Sequence, residues 1–112
     1  LLVLLLNVPR SHDDWQRWSF AHNQSHLAIN QAILTQKGVN NAAYQLDPIP
    51  DDDIPNWLTR NQEAHNDMNA AIGTQSSDLE DTDFRDQRQL ESWIYLHFLE
   101  HQTAEQILGV AS

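Results

Sequence analysis

The chain of 112 residues contains no cysteine. That removes disulfides, thiolate metal sites and a cysteine nucleophile together. Basic residues are also scarce: six Lys and Arg stand against sixteen Asp and Glu, for a formal net charge of -10. The six form no patch. Phosphate recognition needs clustered positive charge, so nucleic acid is excluded as a partner. An anionic membrane surface is disfavoured for the same reason. The sequence has no Gly-rich phosphate loop, no GxSxG and no HExxH, and nothing in its spacing argues for an enzyme. The longest apolar run, Leu1 to Leu6, is far short of the ~20 residues that span a bilayer. It also lacks the basic start of a signal peptide.

What the chain does have is a repeated tryptophan–histidine pattern. Trp18, His22 and His26 are spaced four residues apart, and so are Trp93, His97 and His101. Between them lies a relaxed copy, Trp57, Asn61 and His65, which continues to Asn69. Four-residue spacing stacks side chains on one helix face. Five of the six histidines therefore lie on stripes, each stripe on its own helix.

The surrounding residues predict where those helices begin and end. The first runs from Ser11 or His12 to Lys37. Ser11 suits the N-cap, Asp13 and Asp14 suit the positive end of the dipole, and Gly38 supplies the stop. Its inner stripe is Trp15, Trp18, His22, Ser25, Ile29 and Ile33. The second begins at Asp53, with Pro55 in the first turn, and ends before Gly73. The third spans Asp86 to Leu108 and closes at Gly109. Two acidic connections join them. The first, residues 39–53, is pinned by Tyr44, Leu46 and Ile49; the second, after Gly73, is anchored by Leu79 and Phe84. Asp51 to Asp53 and Asp78 to Asp86 lack the spacing of calcium loops and read as solvated acid. Residues 1–10 read as an extended apolar arm, either folded back on its own domain or docked on a neighbouring subunit by strand addition, and 11–112 as one helical domain. The expected fold is all-α: a three-helix bundle, up, down and up, with an extended N-terminal arm and two long acidic loops.

In such a bundle His22, His65 and His97 share a central layer, with His26 and His101 one turn further. Glu100 and Glu105 are close enough to join them. Trp18, Trp57 and Trp93 anchor the bundle beside this layer. Imidazole donates one ring N–H and accepts at the other nitrogen, so the layer reads first as a buried hydrogen-bond network that fixes register, with no cofactor. It reads second as a metal site for zinc or iron, loosely like the all-histidine arrangement of hemerythrin.

The segments WSFAHNQSHLAI, NQEAHNDMNAAIG, DLEDTDF and LESWIYLHFLEHQTAEQILG, in that order, resemble a family of small proteins from tailed-bacteriophage genomes. The likeness covers roughly residues 13–110. It implies a virion component, near the head–tail junction or elsewhere on the particle, and it supplies no catalytic residues. On that resemblance the expected function is structural. The chain would be an adaptor or accessory subunit in a symmetric ring or lattice, holding neighbouring virion proteins through Leu2, Val3, Leu4, Leu5, Leu6 and Val8. The alternative is a metal-binding helical bundle with a histidine-rich interior.

Overall fold

The computed structural model describes residues 2–41 and 53–110. Three long helices carry the fold: α1 (His12–Lys37), α2 (Ile54–Ile72) and α3 (Gln87–Leu108). They form a three-helix bundle, and no strand occurs among the described residues. The Ser11 hydroxyl accepts from the Asp14 N–H at 3.1 Å and starts α1. Asp86 does the same for α3, accepting from the Arg88 and Gln89 N–H groups. Asp53 sits at the N-cap of α2 but makes no side-chain cap bond, so Pro55 is the main signal for that helix start. Each helix stops at a left-handed glycine, Gly38, Gly73 or Gly109.

The direction of the helices differs from the up, down and up expectation. All three run the same way. One apolar cluster gathers residues early in every helix: Trp18 and Ala21, Trp57 and Leu58, and Leu90, Trp93, Ile94 and Phe98. A second gathers residues late in every helix: Ile29 and Ile33, Met68, and Ala104 and Leu108. Gln36, near the end of α1, donates to the Leu108 carbonyl at the end of α3, at 2.7 Å. An antiparallel α2 would place Trp57 beside Met68's present neighbours. Instead the Trp57 ring lies 6.3 Å from Trp18 and 6.0 Å from Trp93.

Parallel helices explain the long connections. After each helix the chain must travel back the length of the bundle. At about 3.3 Å per residue, residues 73–86 comfortably cover the roughly 28 Å rise of α2. Leu79, fully buried, and Phe84 anchor that return. Phe84 stacks on Trp15 with centroids 5.3 Å apart and meets Trp93 edge-on at 4.9 Å. The first return, including Tyr44, Leu46, Ile49 and Asp51, lies outside the described residues.

Parallel helices also bring three positive dipole ends to one end of the molecule. Asp13 and Asp14 occupy the first turn of α1, and Asp53 and Asp86 are the caps of α2 and α3. Four of the sixteen acidic residues thus sit where aligned helix N-termini favour them.

The N-terminal segment is not an extended arm. Leu2–Leu6 form a short 3-10 helix folded against α1 and α3. Leu5 is fully buried, and its carbonyl accepts from the Trp18 indole N–H at 3.3 Å. The reason is backbone satisfaction. No described strand offers this segment an edge, whereas a tight helix supplies its own bonds, such as Asn7 N–H to Leu4 O at 3.3 Å. Leu5→Ala should therefore cost about 2–5 kcal/mol in equilibrium urea denaturation, the range for a buried leucine. A cost below about 0.5 kcal/mol, typical of surface changes, would place the segment outside the core.

Candidate metal centre

The parallel arrangement turns the sequence repeat into layers. Trp18, Trp57 and Trp93 make the first. One turn later come His22, Asn61 and His97, and one turn later again His26, His65 and His101. All five histidines are buried, with exposures of 0–4%. Each offers a ring nitrogen, and the five atoms lie within 4.8 Å of one another. The apolar clusters lie on either side, one toward each end of the bundle.

Four of the Nε2 atoms form a closed ring. His22 to His26 is 3.0 Å, His26 to His65 is 3.2 Å, His65 to His97 is 2.7 Å, and His97 to His22 is 3.0 Å. A neutral ring nitrogen has one in-plane position, filled by a hydrogen or a lone pair. The outer nitrogens decide which. His65 Nδ1–H donates to Glu100 Oε1 at 3.0 Å. The Ser25 hydroxyl donates to Glu105 Oε2 at 3.2 Å and so accepts from His101 Nδ1–H at 2.7 Å. His101 Nε2 is therefore bare, and it is buried without a hydrogen-bond partner.

Each Nε2 of the ring touches two others but has one in-plane position, so hydrogen bonds fill at most two of the four contacts. His101 Nε2 would still lack a donor, and His97 Nδ1 has no partner. A cation at the common point would take the lone pairs instead.

The ring positions carry the geometry of such a point. Metal–nitrogen bonds of about 2.0–2.1 Å put imidazole centroids about 4.5 Å apart for adjacent ligands and about 6.3 Å apart for opposed ones. His22 and His65 are 6.1 Å apart and nearly parallel, at 6°. The four sides of the ring measure 4.4, 4.9, 4.4 and 4.6 Å. His101 lies 5.0, 4.4, 5.0 and 5.2 Å from His22, His26, His65 and His97. The centroids form a distorted square pyramid with His101 toward its apex.

A shell of partners holds the ligands. Glu100 Oε1 also accepts from Asn69 Nδ2 at 2.7 Å, and its Oε2 from the Ser77 N–H at 2.6 Å. Asn69 in turn accepts from the Thr74 hydroxyl at 2.7 Å. Gln62 accepts from the Leu79 N–H at 2.6 Å, and the Trp93 indole donates to the Leu79 carbonyl at 2.8 Å. The second return segment is thus tied to the site through Glu100. On the opposite side, Trp18 stacks on His22 at 4.7 Å and Trp93 meets His97 edge-on at 4.5 Å.

Burial is the main cause that pushes His22, His26, His97 and His101 well below the usual 6.5, and neighbouring imidazoles add to it. Asn61 opposes this slightly at His22, although neither of its side-chain polar atoms reaches hydrogen-bond geometry. Burial alone pushes the Glu100 carboxyl up. The hydrogen bond and charge interaction with His65, with Ser77 and Asn69, outweigh it and hold the group below its ordinary 4.5. Burial raises Glu105, partly offset by Ser25. The four shifted imidazoles are neutral at pH 7, the form that ligates metal.

The sequence placed all five histidines and their neighbours Glu100, Glu105 and Asn69. It missed the roles of Ser25 and Ser77. Ser25 was visible only as a small polar residue on the α1 stripe, and Ser77 acts through its backbone. Of the residues expected to bind partners, the structure separates two groups. Leu5 is in the core and Leu2 and Val8 pack against it, while Val3, Leu4 and Leu6 are exposed. No family profile matches the chain, and neither a curated protein nor a solved structure shows significant similarity to it.

The neutral histidines set the pH dependence of the metal-free protein. The unfolded chain takes up their protons near pH 6.5 and the folded one does not. Their stabilisation is complete above that pH and is lost as pH falls. Each proton is worth about 1.4 kcal/mol per pH unit, so the four approach roughly 5 kcal/mol per unit in acid. Glu100 adds in the same direction only below its ordinary 4.5, and Glu105 acts weakly against it. Urea midpoints measured from about pH 8 down to about pH 5 should fall steeply below pH 6.5. A flat profile there would show that the imidazoles are not buried neutral.

Proposed function

We propose that this protein binds one divalent transition-metal ion inside the bundle through His22, His26, His65, His97 and His101. The observation that supports it most is the convergence of five buried imidazoles on one point with square-pyramidal spacing. Zinc favours four ligands in a tetrahedron. Five nitrogens at right-angle spacing suit an ion that accepts five or six, such as Fe(II), Co(II) or Ni(II). Between the two ions expected from the sequence, the geometry favours iron over zinc. Glu100 holding the His65 Nδ1–H is a carboxylate–histidine–metal arrangement, which orients the ring and raises its basicity. Because the site lies between two apolar clusters, the ion is part of the fold, and its binding energy adds to folding.

A second reading keeps the virion subunit. It is supported by the outer side of the N-terminal turn. Val3, Leu4 and Leu6 are exposed there, and Phe20 on α1 is 61% exposed. These apolar groups would meet neighbouring virion proteins, while Leu5 and the histidines hold the domain together. The two readings are compatible, since one concerns the interior and the other the surface.

Elemental analysis of the protein purified from iron-supplemented cells should find one ion per chain. Binding at a thousandfold excess over Kd adds about 4 kcal/mol of stability, so a chelator should lower the thermal midpoint markedly. Well under one ion per chain, with melting unchanged by chelator, would sink the reading. Glu100→Gln keeps the shape of the side chain and removes its charge. It should weaken metal binding about 10- to 100-fold in competition titrations, as other second-sphere changes do.

A further inference from the structure

The layers contain six places and five histidines. Looking down the bundle, the upper triangle is His22, Asn61 and His97, and the lower is His26, His65 and His101. Two staggered triangles are the corners of an octahedron. In that figure each upper corner faces a lower corner across the centre, on a different helix. His22 faces His65, as the 6.1 Å parallel pair shows. His26 and His97 are the other diagonal of the Nε2 ring. The remaining pair is Asn61 and His101. Asn61 thus stands at the open corner of the square pyramid, opposite its apex.

Asn61 is unusual in its own right. It is fully buried, yet neither Nδ2 nor Oδ1 has a hydrogen-bond partner. Leaving both ends of a buried amide unpaired costs free energy unless something completes them. The amide is also one bond shorter than the reach of an imidazole to Nε2. From the same layer on α2 it stops short of the centre, which leaves this corner without an imidazole.

Resting on the metal-binding proposal above, we infer that the ion keeps a sixth, exchangeable coordination position beside Asn61. Its occupant is a small neutral ligand, water or a diatomic molecule, hydrogen-bonded by the Asn61 amide. Size sets the class. Asn61 is fully buried one turn after the tryptophan layer, where the Trp18, Trp57 and His22 rings pack 4.7–6.3 Å apart. An anion would also be disfavoured by Glu100 and Glu105, the carboxylates in the surrounding shell. The ion supplies the bond, and Asn61 supplies a donor and an acceptor for the second atom.

Nitric oxide on Fe(II)-loaded protein under anaerobic conditions tests this directly. Iron content is measured first. No iron uptake would defeat the metal-binding proposal itself, and this inference with it. Iron uptake with no half-integer-spin EPR signal on adding nitric oxide would overturn the sixth position alone. The expected result is a saturable iron–nitrosyl signal in the wild type. Asn61→His closes the octahedron with a sixth imidazole, so it should retain iron and lose the signal. An undiminished signal with full iron would overturn the placement of the corner. Asn61→Ala leaves the corner open but removes the hydrogen bonds. It should bind nitric oxide and release it faster than the wild type, and equal release rates would overturn the role given to Asn61.

Discussion

Five imidazole nitrogens aimed at one buried point are the constraint from which the rest of this structure follows. The contacts among them are too many for hydrogen bonds alone to fill. Placing them there requires three helices in a common direction, because only then do Trp–His–His, Trp–Asn–His and Trp–His–His come into step. A parallel three-helix bundle in turn demands two returns the length of the domain. The second return is then used. Its backbone at Ser77 and Leu79 is bound by Glu100, Gln62 and Trp93, so the connection becomes part of the scaffold that orients His65.

The division of labour along the axis is simple. The early ends of the helices hold the aromatic cluster, capped by the Leu2–Leu6 turn. The late ends hold Ile29, Ile33, Met68, Ala104 and Leu108. Between them sits a polar layer that neither cluster could pay for unless its members are neutral and satisfied. Depressed imidazole basicity supplies the first condition. On the proposed reading a bound cation, with Glu100 and the Ser25–Glu105 pair outside it, would supply much of the second. The acidic surface then looks less like a recognition feature and more like compensation for three aligned dipoles.

Much of this was legible in the sequence. Four-residue spacing located every site histidine, Ser11 and Asp86 located two helix starts, and three glycines located the ends. What periodicity cannot reveal is direction. A stripe reads the same whether its helix points up or down, so Trp57–Asn61–His65 fits either packing. The length of the connections carried the answer, since antiparallel neighbours need only a few residues between them. The N-terminal leucines misled for a related reason. A continuous apolar run has no period, and only the buried Trp18 indole seeking an acceptor shows why it coils at Leu5. The significance of Asn61 was hidden because a lone asparagine among histidines resembles a relaxed copy until the layers are assembled.

Parallel order also bears on how the chain reaches this state. No two consecutive helices can pair as a hairpin, so every inter-helix contact spans a long loop. Chains dominated by such distant contacts reach their native state slowly, because loop entropy is lost before contacts repay it. Here the contacts between helices bring together nitrogens that repel one another if protonated. An ion captured by His22 and His26, or by His97 and His101, while the helices are still separate would give the collapsing chain a common centre. If the site holds its ion as proposed, the histidine pairs on α1 and α3 would act during assembly as well as after it.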